Sequence, residues 1–408
     1  MANPLENKHI MLGVTGSIAA YKAAELASRL TQQGARVSAL LTEAALEFIT
    51  PLTFQSVSGQ KAYTEEDLWG GEGHVVHIQI GQSSDLIIIA PASANTIAKI
   101  ANGIADNLLT VTALAASCPL IIAPAMDAGM YSHPATQQNI ETLKARGVHF
   151  TGPAEGHLAS GLVGPGRMQE PSRIAALARC LLSRSGPLAG KKILVTAGGT
   201  REALDPVRFL SNYSTGKQGY ALAQAALDLG SDVVLISAPT NLEAPFGCQL
   251  LQVQSAREMQ DAVLANLQDA HALVMAAAVA DYRPAKTEKE KIKKDSALQS
   301  LQLDPTDDIL KTVAEYKKKH ALDIKIVGFA AESRQLKENA MKKMRAKNMD
   351  MIVANDISDP QAGFAVETNK VLLMYADGSL EQLPLMHKSL VAEKIIQHLA
   401  SWLVEGGN

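Results

Sequence analysis

Two stretches of sequence decide the fold, KHIMLGVTGS at residues 8–17 and KKILVTAGGT at residues 191–200. Each is a short apolar run that ends in a glycine-bearing loop and is followed by residues with helical periodicity. Further apolar runs alternate with helical stretches after both of them, which is the pattern of a parallel sheet flanked by helices. One such run, DLIIIAPA at residues 85–92, is typical of a strand buried on both faces. The sequence therefore predicts an α/β protein with two tandem doubly wound, Rossmann-like domains.

The boundary between these domains is predicted in SRSGPLAG at residues 183–190, a stretch rich in Ser, Gly and Pro. We therefore expect domains of residues 1–187 and 188–408. Near the C-terminus, KVLLMYADGSLEQLPL predicts a β-hairpin whose Asp377–Gly378 pair suits a type I′ turn. An amphipathic helix over residues 388–403 is expected to follow. The two domain openings resemble each other only as βα units, so the sequence does not indicate an internal repeat.

Composition narrows the class of protein. The 408 residues are 47% hydrophobic and 19% charged, with a formal net charge of −3, which suits a globular chain and excludes a disordered, collagen-like or coiled-coil one. This charge favours neither nucleic-acid nor anionic-membrane binding. No apolar run approaches the roughly 20 residues that span a bilayer, and the N-terminus lacks the features of a signal peptide. Because the three cysteines show no CxxC spacing, we expect reduced thiols in a cytoplasmic protein.

Two loops of the first half are candidates for binding a ligand. The loop Gly13–Ser17 lies between a strand and a helix start, where backbone N–H groups and the helix dipole favour an anion. The pattern favours a purely structural turn equally well. The segment APASANT at residues 90–96 follows a buried strand at the edge where open α/β sheets bind ligands. Its small polar side chains suit a phosphate and a polyhydroxyl chain, and Asp106 follows on the next helix.

A histidine pair in the first half, His74 and His77, raises the question of metal binding. No cluster of Cys, Asp or Glu completes such a site, so the sequence disfavours a metal there. We place His77 at the end of a strand instead.

The second half contains a long polar loop, residues 197–219, between a strand and a helix. Its SerThrGlyLysGlnGly segment resembles a phosphate-binding P-loop, but the leading glycine and the Ser or Thr after the lysine are missing, which rejects a Walker A motif. Asn212 in this loop is a candidate for holding an acyl phosphate. A lysine-rich run over residues 286–294 follows Asp281, which suits triphosphate chemistry with a divalent metal at Asp281.

The first half resembles the flavin-dependent cysteine decarboxylases in the segments GVTGSIAAYKA, HIQIG, APASANTIAKIANGIADNLL, APAMDAGMY and GPGRM. The resemblance implies FMN as cofactor, trimers with the flavin between protomers, and an active-site role for His77. It assigns the flavin and its phosphate to the following residues: Gly16, Ser17, Ser93, Asn95, Thr96 and Asp106.

The second half resembles phosphopantothenate–cysteine ligase in TAGGTREALDPVR, SNYSTGKQG, AAAVADYRPA, EKIKK, VGFAAE and a lysine pair. The tandem order matches the bacterial bifunctional enzymes of coenzyme A synthesis. The resemblance implies that 4′-phosphopantothenate, cysteine, CTP and Mg²⁺ are used, that Asn212 contacts an acyl-cytidylate, and that ligase domains pair as dimers. It places the nucleotide at Met275, Ala276, Ala277, Asp281, Lys291, Thr306, Asp307, Asp308, Ile309, Phe329, Lys343 and Lys347. The segment PTDDIL departs from the family's Asn-Pro-Asp-Ile.

Two further departures lie in the decarboxylase motifs. Asp127 stands where the family has an asparagine that helps to hold the substrate carboxylate, and Ser160 stands where it has a cysteine that protonates the product. An ionised Asp127 would repel a carboxylate unless burial kept it protonated, and a hydroxyl is a weaker acid than a thiol. These changes leave two alternatives, a rebuilt and working decarboxylase or an active ligase fused to an impaired flavin domain.

Two other classes of protein compete with an enzyme of this kind. A non-enzymatic flavin-binding regulator is disfavoured by the well-matched ligase half. A dinucleotide oxidoreductase is disfavoured because neither half has GxGxxG followed by an acidic residue about 20 positions later.

Overall fold

The computed structural model describes residues 3–69, 75–292, 300–332, 336–356, 363 and 366–405. The chain divides into two compact units, residues 3–183 and the residues from 184 onward. The boundary that we predict from the sequence lies a few residues beyond this division. His74, Lys293 and Lys294 lie outside the described residues.

The N-terminal unit is built on a six-stranded parallel sheet with the strand order β3-β2-β1-β4-β5-β6. In chain order its elements are β1 (His9–Val14), α1 (Ala20–Gln32), β2 (Arg36–Leu41), α2 (Glu43–Leu46), α3 (Pro51–Ser58), β3 (Ala62–Tyr63), α4 (Glu66–Trp69), α5 (Val76–Ser83), β4 (Leu86–Ala92), α6 (Ala94–Ala101), α7 (Leu108–Ala115), β5 (Leu120–Pro124), α8 (Ala128–Ser132), α9 (Pro134–Ala145), β6 (His149–Phe150), β7 (Ala154–His157), β8 (Val163–Arg167) and α10 (Pro171–Ser183).

Both faces of this sheet are covered, as its central strand shows. All seven residues of β4 are buried. Alternate side chains enter two separate hydrophobic clusters, with Ile88 in one and Ile87 and Ile89 in the other. This explains why the strand is a continuous apolar run rather than an alternating one, and it confirms the prediction of a doubly wound sheet.

The C-terminal unit has an eight-stranded sheet with the order β13-β12-β9-β14-β17-β18-β20-β21. In chain order its elements are β9 (Lys192–Ala197), β10 (Glu202–Ala203), β11 (Phe209–Leu210), α11 (Lys217–Asp228), β12 (Asp232–Ser237), β13 (Gln249–Gln252), α12 (Ala256–Asn266), β14 (Ala272–Met275), β15 (Tyr282–Pro284), β16 (Leu303–Pro305), α13 (Ile309–His320), β17 (Lys325–Glu332), α14 (Leu336–Ala346), β18 (Met351–Asp356), β19 (Thr368–Asn369), β20 (Val371–Tyr375), β21 (Leu380–Gln382), β22 (Met386–His387) and α15 (Lys388–Glu405).

The first six strands of this second sheet are parallel and follow the same order as the first sheet, while β20 and β21 add an antiparallel edge. Here too one strand serves two cores, because Val274 enters one hydrophobic cluster and Leu273 and Met275 enter the other. The predicted Rossmann-like sheet and its C-terminal hairpin are therefore both present.

Three local predictions are wrong in detail. The hairpin turn is not type I′, because within the described chain Gly378 has a positive φ of +90° whereas Asp377 does not. A bond from Gly378 N to Tyr375 O closes a tight turn before that glycine, which is the arrangement of a type I turn followed by a left-handed residue. The apolar run ALVMAAAV at residues 272–279 predicts a strand that ends at residue 279, but β14 ends at Met275. His77 lies on helix α5 rather than at a strand end. None of the described helices is long and apolar enough to cross a bilayer.

Candidate active sites

In the N-terminal unit, the two predicted ligand loops meet where β1 and β4 end side by side. The Thr15 hydroxyl donates to Pro91 O at 2.8 Å and accepts from Ser93 N at 2.9 Å. Ser93 in turn begins helix α6, where its hydroxyl accepts from Thr96 N at 3.3 Å. This position, between β1 and β4, is the topological switch point of the sheet, where open α/β folds bind their ligands.

The loop after β1 passes close to the start of α2. A Cβ on Gly16 would lie 2.7 Å from Ala44 Cβ and 3.0 Å from Ala44 O, so the backbone approach at this position requires glycine. Ser17 follows, and its hydroxyl accepts from Ala19 N at 3.2 Å. The loop therefore places the Ser17 hydroxyl and a backbone without a side chain, at Gly16, near the N-terminal end of α1. Such a position suits a phosphate.

A cavity of about 520 Å³ opens beside this loop, within the size range of cofactor pockets. It brings together the predicted residues Ser17, Asp127 and Ser160. Its complete lining is Ser17, Ile18, Ala19, Tyr21, Lys22, Ala125, Met126, Asp127, His157, Leu158, Ala159, Ser160, Gly166, Arg167 and Met168. The mixture of apolar walls with hydroxyl and charged groups fits a flavin and its phosphate-bearing chain.

The other predicted flavin residues do not line this cavity. His77 is half-buried on α5, and Asn95 is exposed in the first turn of α6. The Asp106 carboxylate pairs with the Lys99 ammonium, with Nζ and Oδ2 2.8 Å apart. The cavity instead contains Lys22, His157 and Arg167. The sequence did not predict a role for these three residues. For His157, the available signal was its place next to the segment that departs from the family.

The two residues that depart from the family contact each other. Ser160 Oγ donates to Asp127 Oδ2 at 2.6 Å, and Gly129 N donates to Asp127 Oδ1 at 2.9 Å as Asp127 begins helix α8. The hydrogen bond from Ser160, followed by that from Gly129, lowers the pKa of Asp127 below its ordinary value. The idea that burial keeps Asp127 protonated is therefore wrong, because the side chain is partly exposed and its hydrogen bonds favour the carboxylate.

The C-terminal unit has an equivalent switch point between β9 and β14. The Thr196 hydroxyl accepts from Ala277 N at 3.1 Å, and the Thr200 hydroxyl accepts from Ala280 N at 2.9 Å. These bonds hold the residues after Met275 in an open loop, which is why β14 is shorter than the apolar run predicts. The loop faces the ligand-binding edge of the sheet.

A cavity of about 260 Å³ at this edge contains ten of the residues that the sequence predicts for the nucleotide. They are Met275, Ala277, Asp281, Thr306, Asp307, Asp308, Ile309, Phe329, Lys343 and Lys347. Lys343 Nζ donates to Phe329 O at 3.2 Å, and Lys347 Nζ lies 2.6 Å from Asp308 Oδ2. Burial raises the pKa of Asp308, but Lys347 and the Lys311 N–H outweigh it, so the pKa lies below the ordinary value.

A second cavity of about 290 Å³ shares five lining residues with the first, namely Ala277, Val279, Asp281, Phe329 and Lys343. It contains the predicted Ala276 and the segment Ser214–Gly219 at the start of α11.

Three buried polar side chains also line this second cavity, Asn355 at 7% exposed and Asn369 and Lys388 at 4% each. Lys388 Nζ donates to Gly363 O at 2.8 Å and to Val366 O at 2.6 Å. Burial, followed by the nearby Lys217 ammonium, lowers the pKa of Lys388. No sequence motif indicated these residues, because they come from elements far apart in the chain.

Two predicted ligase residues lie outside both cavities. Asn212 Nδ2 donates to Ala278 O at 2.6 Å while Asn212 Oδ1 accepts from Ser214 N at 3.0 Å, so the amide positions the loops around it. Lys291 is exposed on a segment held elsewhere, because Ile292 N donates to the Asp205 carboxylate at 3.2 Å.

The described residues contain no group of three or more His, Cys, Asp and Glu side chains that could hold a metal. Asp281 nevertheless lines both ligase cavities. This arrangement fits Mg²⁺, which is usually bound by one or two carboxylates together with substrate phosphates and water.

Comparisons with known proteins match both halves of the chain. Two family models match, Flavoprotein over residues 2–182 and DNA/pantothenate metabolism flavoprotein C-terminal domain over residues 188–403. The Coenzyme A biosynthesis bifunctional protein CoaBC of Bacillus subtilis (strain 168) is 46% identical over 400 residues, which cover 97% of this chain and 98% of that relative.

Solved structures match each half. The C-terminal domain of a Coenzyme A biosynthesis bifunctional protein CoaBC is 41% identical, covers 54% of this chain and 100% of that chain, and has a TM-score of 0.47. The FMN binding protein AtHal3 is 36% identical, covers 43% of this chain and 96% of that chain, and has a TM-score of 0.39. The chain belongs to the CoaBC family of bifunctional coenzyme A biosynthesis enzymes, with a ligase and an FMN-dependent decarboxylase activity.

Proposed function

We propose that the C-terminal unit joins 4′-phosphopantothenate to cysteine with CTP and Mg²⁺, through an acyl-cytidylate. The observation that carries this proposal is the pair of adjoining cavities with a common wall that includes Asp281 and Lys343. The cavity with the predicted nucleotide residues takes CTP. The cavity around Ser214–Gly219, with its two buried asparagines and its lysines, takes the acid substrate.

The chemistry explains why cations are concentrated at the shared wall. The substrate carboxylate attacks the α-phosphate of the nucleotide, so two anions must approach each other. Lys343 offsets this repulsion from a position that touches both cavities, and Lys347 is held at the nucleotide by Asp308. Mg²⁺ at Asp281 would neutralise charge on the triphosphate and on the departing pyrophosphate. Cysteine then displaces CMP through its amine.

The N-terminal unit decarboxylates the ligase product, phosphopantothenoylcysteine. When bound, FMN takes up two electrons from the cysteine moiety and later returns them. Ser17 and the adjoining loop would hold the phosphate of the cofactor, and the apolar walls of the 520 Å³ cavity would exclude water. An active ligase fused to an impaired decarboxylase is not favoured, because the full-length relatives are named as bifunctional proteins.

We also propose that the flavin lies at a contact between protomers. Ile18 and Tyr21 are large apolar residues of the cavity wall that remain 66% and 64% exposed, as residues covered by a neighbouring subunit would be. His77, Asn95 and Asp106 lie away from the cavity in the same chain. A trimer that brings them to the cavity of a neighbour explains this separation. We further propose that the ligase units pair as dimers, as the resemblance implies.

The ligase proposal is tested by measuring the rates of variants in which a lysine charge is removed. Replacing Lys343 with Gln is expected to lower kcat for CTP-dependent pyrophosphate release on the order of a hundredfold, because it removes a charge that stabilises the transition state. Lys291→Gln is expected to lower the same rate, and an unchanged rate would show that the lysine run is only a solvated face. Lys319→Gln, an exposed lysine on α13, is the matched control.

Pyrophosphate release should require 4′-phosphopantothenate, CTP and Mg²⁺ together. A native rate in Lys343→Gln would contradict the assigned role of the shared wall. Equal rates with CTP and ATP would contradict the choice of nucleotide.

A further inference from the structure

The decarboxylase cavity lacks the acid that its family uses. After CO₂ leaves, the α-carbon of the remaining enethiolate must gain a proton before the electrons return, and a cysteine thiol supplies it in the cysteine decarboxylases. Here Ser160 occupies that position, and its hydroxyl already donates to Asp127. A hydroxyl is a far weaker acid than a thiol, whose pKa is about 8.5.

Among the charged and titratable side chains that the same chain contributes to the cavity, one is a candidate for this proton, while His77 would reach the cavity only from a neighbouring protomer. The cavity contains Tyr21, Lys22, Asp127, His157 and Arg167. Asp127 is held as a carboxylate, and a guanidinium does not give up its proton in proteins. Lys22 is buried in an ion pair with Glu170, with Nζ and Oε1 2.7 Å apart. Phenols and ammonium groups are weaker acids than thiols, whereas imidazole is the side chain that exchanges protons near neutral pH.

His157 also has the right place in the fold. It ends strand β7, which pairs with β8 through the register His157 to Val163. The connecting loop is short and tied back on itself, because Leu158 N donates to Leu162 O at 2.8 Å and Gly161 N donates to Leu158 O at 3.0 Å. Ser160 lies within this loop, so one short hairpin end brings both residues to the wall of the same cavity, where both are exposed.

We propose that His157 is the general acid of the decarboxylase, and that it replaces the thiol missing at Ser160. The inference rests on the decarboxylase function of this unit.

In the complete reaction, the cysteine CH₂–SH group loses a hydride to FMN and a proton to solvent. The bond from the α-carbon to the carboxyl carbon breaks, CO₂ leaves, and its electron pair enters the enethiolate. His157 then protonates the α-carbon, the hydride returns from the flavin to the sulfur-bearing carbon, and the thiolate takes a proton from solvent. The sum is one proton consumed and one CO₂ released.

The experiment uses the full chain with bound FMN and synthetic phosphopantothenoylcysteine, without oxygen. CO₂ and 4′-phosphopantetheine are quantified separately, and the absorbance of oxidised flavin is followed. The native protein should form both products in equal amounts. His157→Asn should release about one CO₂ per flavin, keep the flavin reduced, and form 4′-phosphopantetheine on the order of a hundredfold more slowly, since a general acid contributes 10²–10⁴-fold.

Two further variants make the result specific. His133→Asn is the matched control, because His133 is exposed, lies outside the cavity and begins helix α9, a position where asparagine is equally suitable. The double variant His157→Asn/Ser160→Cys should recover the formation of 4′-phosphopantetheine, because it restores a thiol. Ligase activity of the same chain and FMN content report that each variant is folded.

The native protein gives a test that does not depend on a histidine variant. The ratio of 4′-phosphopantetheine to CO₂ should fall as pH rises, because a general acid must carry its proton, and Ser160→Cys should move this fall to higher pH. Equal product yields in His157→Asn at the native rate would overturn the proposal, as would a native ratio independent of pH. Failure to release CO₂ at all would instead contradict the decarboxylase function.

Discussion

At the scale of single residues, Asp205 holds the backbone beside Lys291, a lysine that lies outside the ligase cavities. Its side chain is fully buried, and its carboxylate accepts from Val207 N and Arg208 N at 2.8 Å and from Arg208 Nε at 2.9 Å. Ile292 is fixed from both sides, because its N–H donates to Asp205 and its carbonyl accepts from Arg208 Nη2 at 2.9 Å. Lys291 directly precedes Ile292, so we expect Asp205 to act as a positioning residue for it.

We expect Asp205→Asn to lower kcat for cytidylate formation by tenfold to a hundredfold, since a misplacement of about 1 Å can cost that much. If Asp205 acts through Lys291, the double variant Asp205→Asn/Lys291→Gln should be no slower than the more impaired single variant. Additive losses would contradict this relation. Steady-state pyrophosphate release measures all three variants.

The same residue sets an expectation for pH. The hydrogen bond from Arg208 holds the pKa of Asp205 well below its ordinary range, and this effect exceeds the opposing effect of burial. Because the folded pKa is depressed, the stabilisation is fully present above the unfolded pKa of about 3.9 and is lost only as pH falls through the folded value. Protonation of Asp205 should therefore cause no loss of the ligase rate between about pH 5 and 9.

At the scale of elements, both units use the same strand order and place their ligand loops at the same switch point. In the ligase unit, helix α11 begins after Gly216, whose φ of +80° is in the left-handed region. A Cβ there would lie 2.6 Å from Thr240 Cγ2. The start of α11 therefore requires glycine for two reasons, the backbone conformation and the space available.

Gly216→Ala should therefore loosen the N-terminal part of α11 by more than the roughly 1–2 kcal/mol that a left-handed alanine costs. Amide hydrogen exchange of α11 in the full chain measures this loss. Gly190→Ala is the control, because Gly190 also has a positive φ, +73°, but has no atom within 4 Å of the added Cβ. Equal loosening around Gly190 and Gly216 would show that the contact with Thr240 is unimportant.

At the scale of the whole molecule, each unit has its own hydrophobic clusters on both faces of its own sheet. A domain with a complete core can fold alone. We expect separately expressed residues 1–187 to bind FMN and to sediment as an oligomer, because the flavin is proposed to lie between protomers. Residues 188–408 should retain CTP-dependent ligation.

Far-UV circular dichroism, flavin absorbance and pyrophosphate release measure these properties of the two fragments. A flavin-loaded monomer would contradict the proposed subunit contact. An unfolded fragment would contradict the independence of the two cores.

The sequence by itself determined the two α/β sheets and the approximate division between them. Apolar runs mark buried parallel strands, and the residues directly after those strands must collect at one edge of the sheet. The resemblance to the ligase family implied Met275, Ala277 and Asp281 as nucleotide residues, and the structure brings all three to one cavity at this edge. The same local patterns could not specify the type of the hairpin turn at Asp377, or that Thr196 and Thr200 end β14 early, because those outcomes depend on hydrogen bonds to other parts of the fold.

Only the tertiary structure decided which side chains meet. The contact of Ser160 with Asp127 joins residues 33 positions apart, and it determines that Asp127 is a carboxylate rather than an acid. Packing also places His157 in the same cavity. It places Lys291 outside the ligase cavities, on the segment that is bound by Asp205. The physical reason is that strand and helix periodicity is local, whereas the partners of a polar side chain are set by how distant segments approach each other in the folded chain.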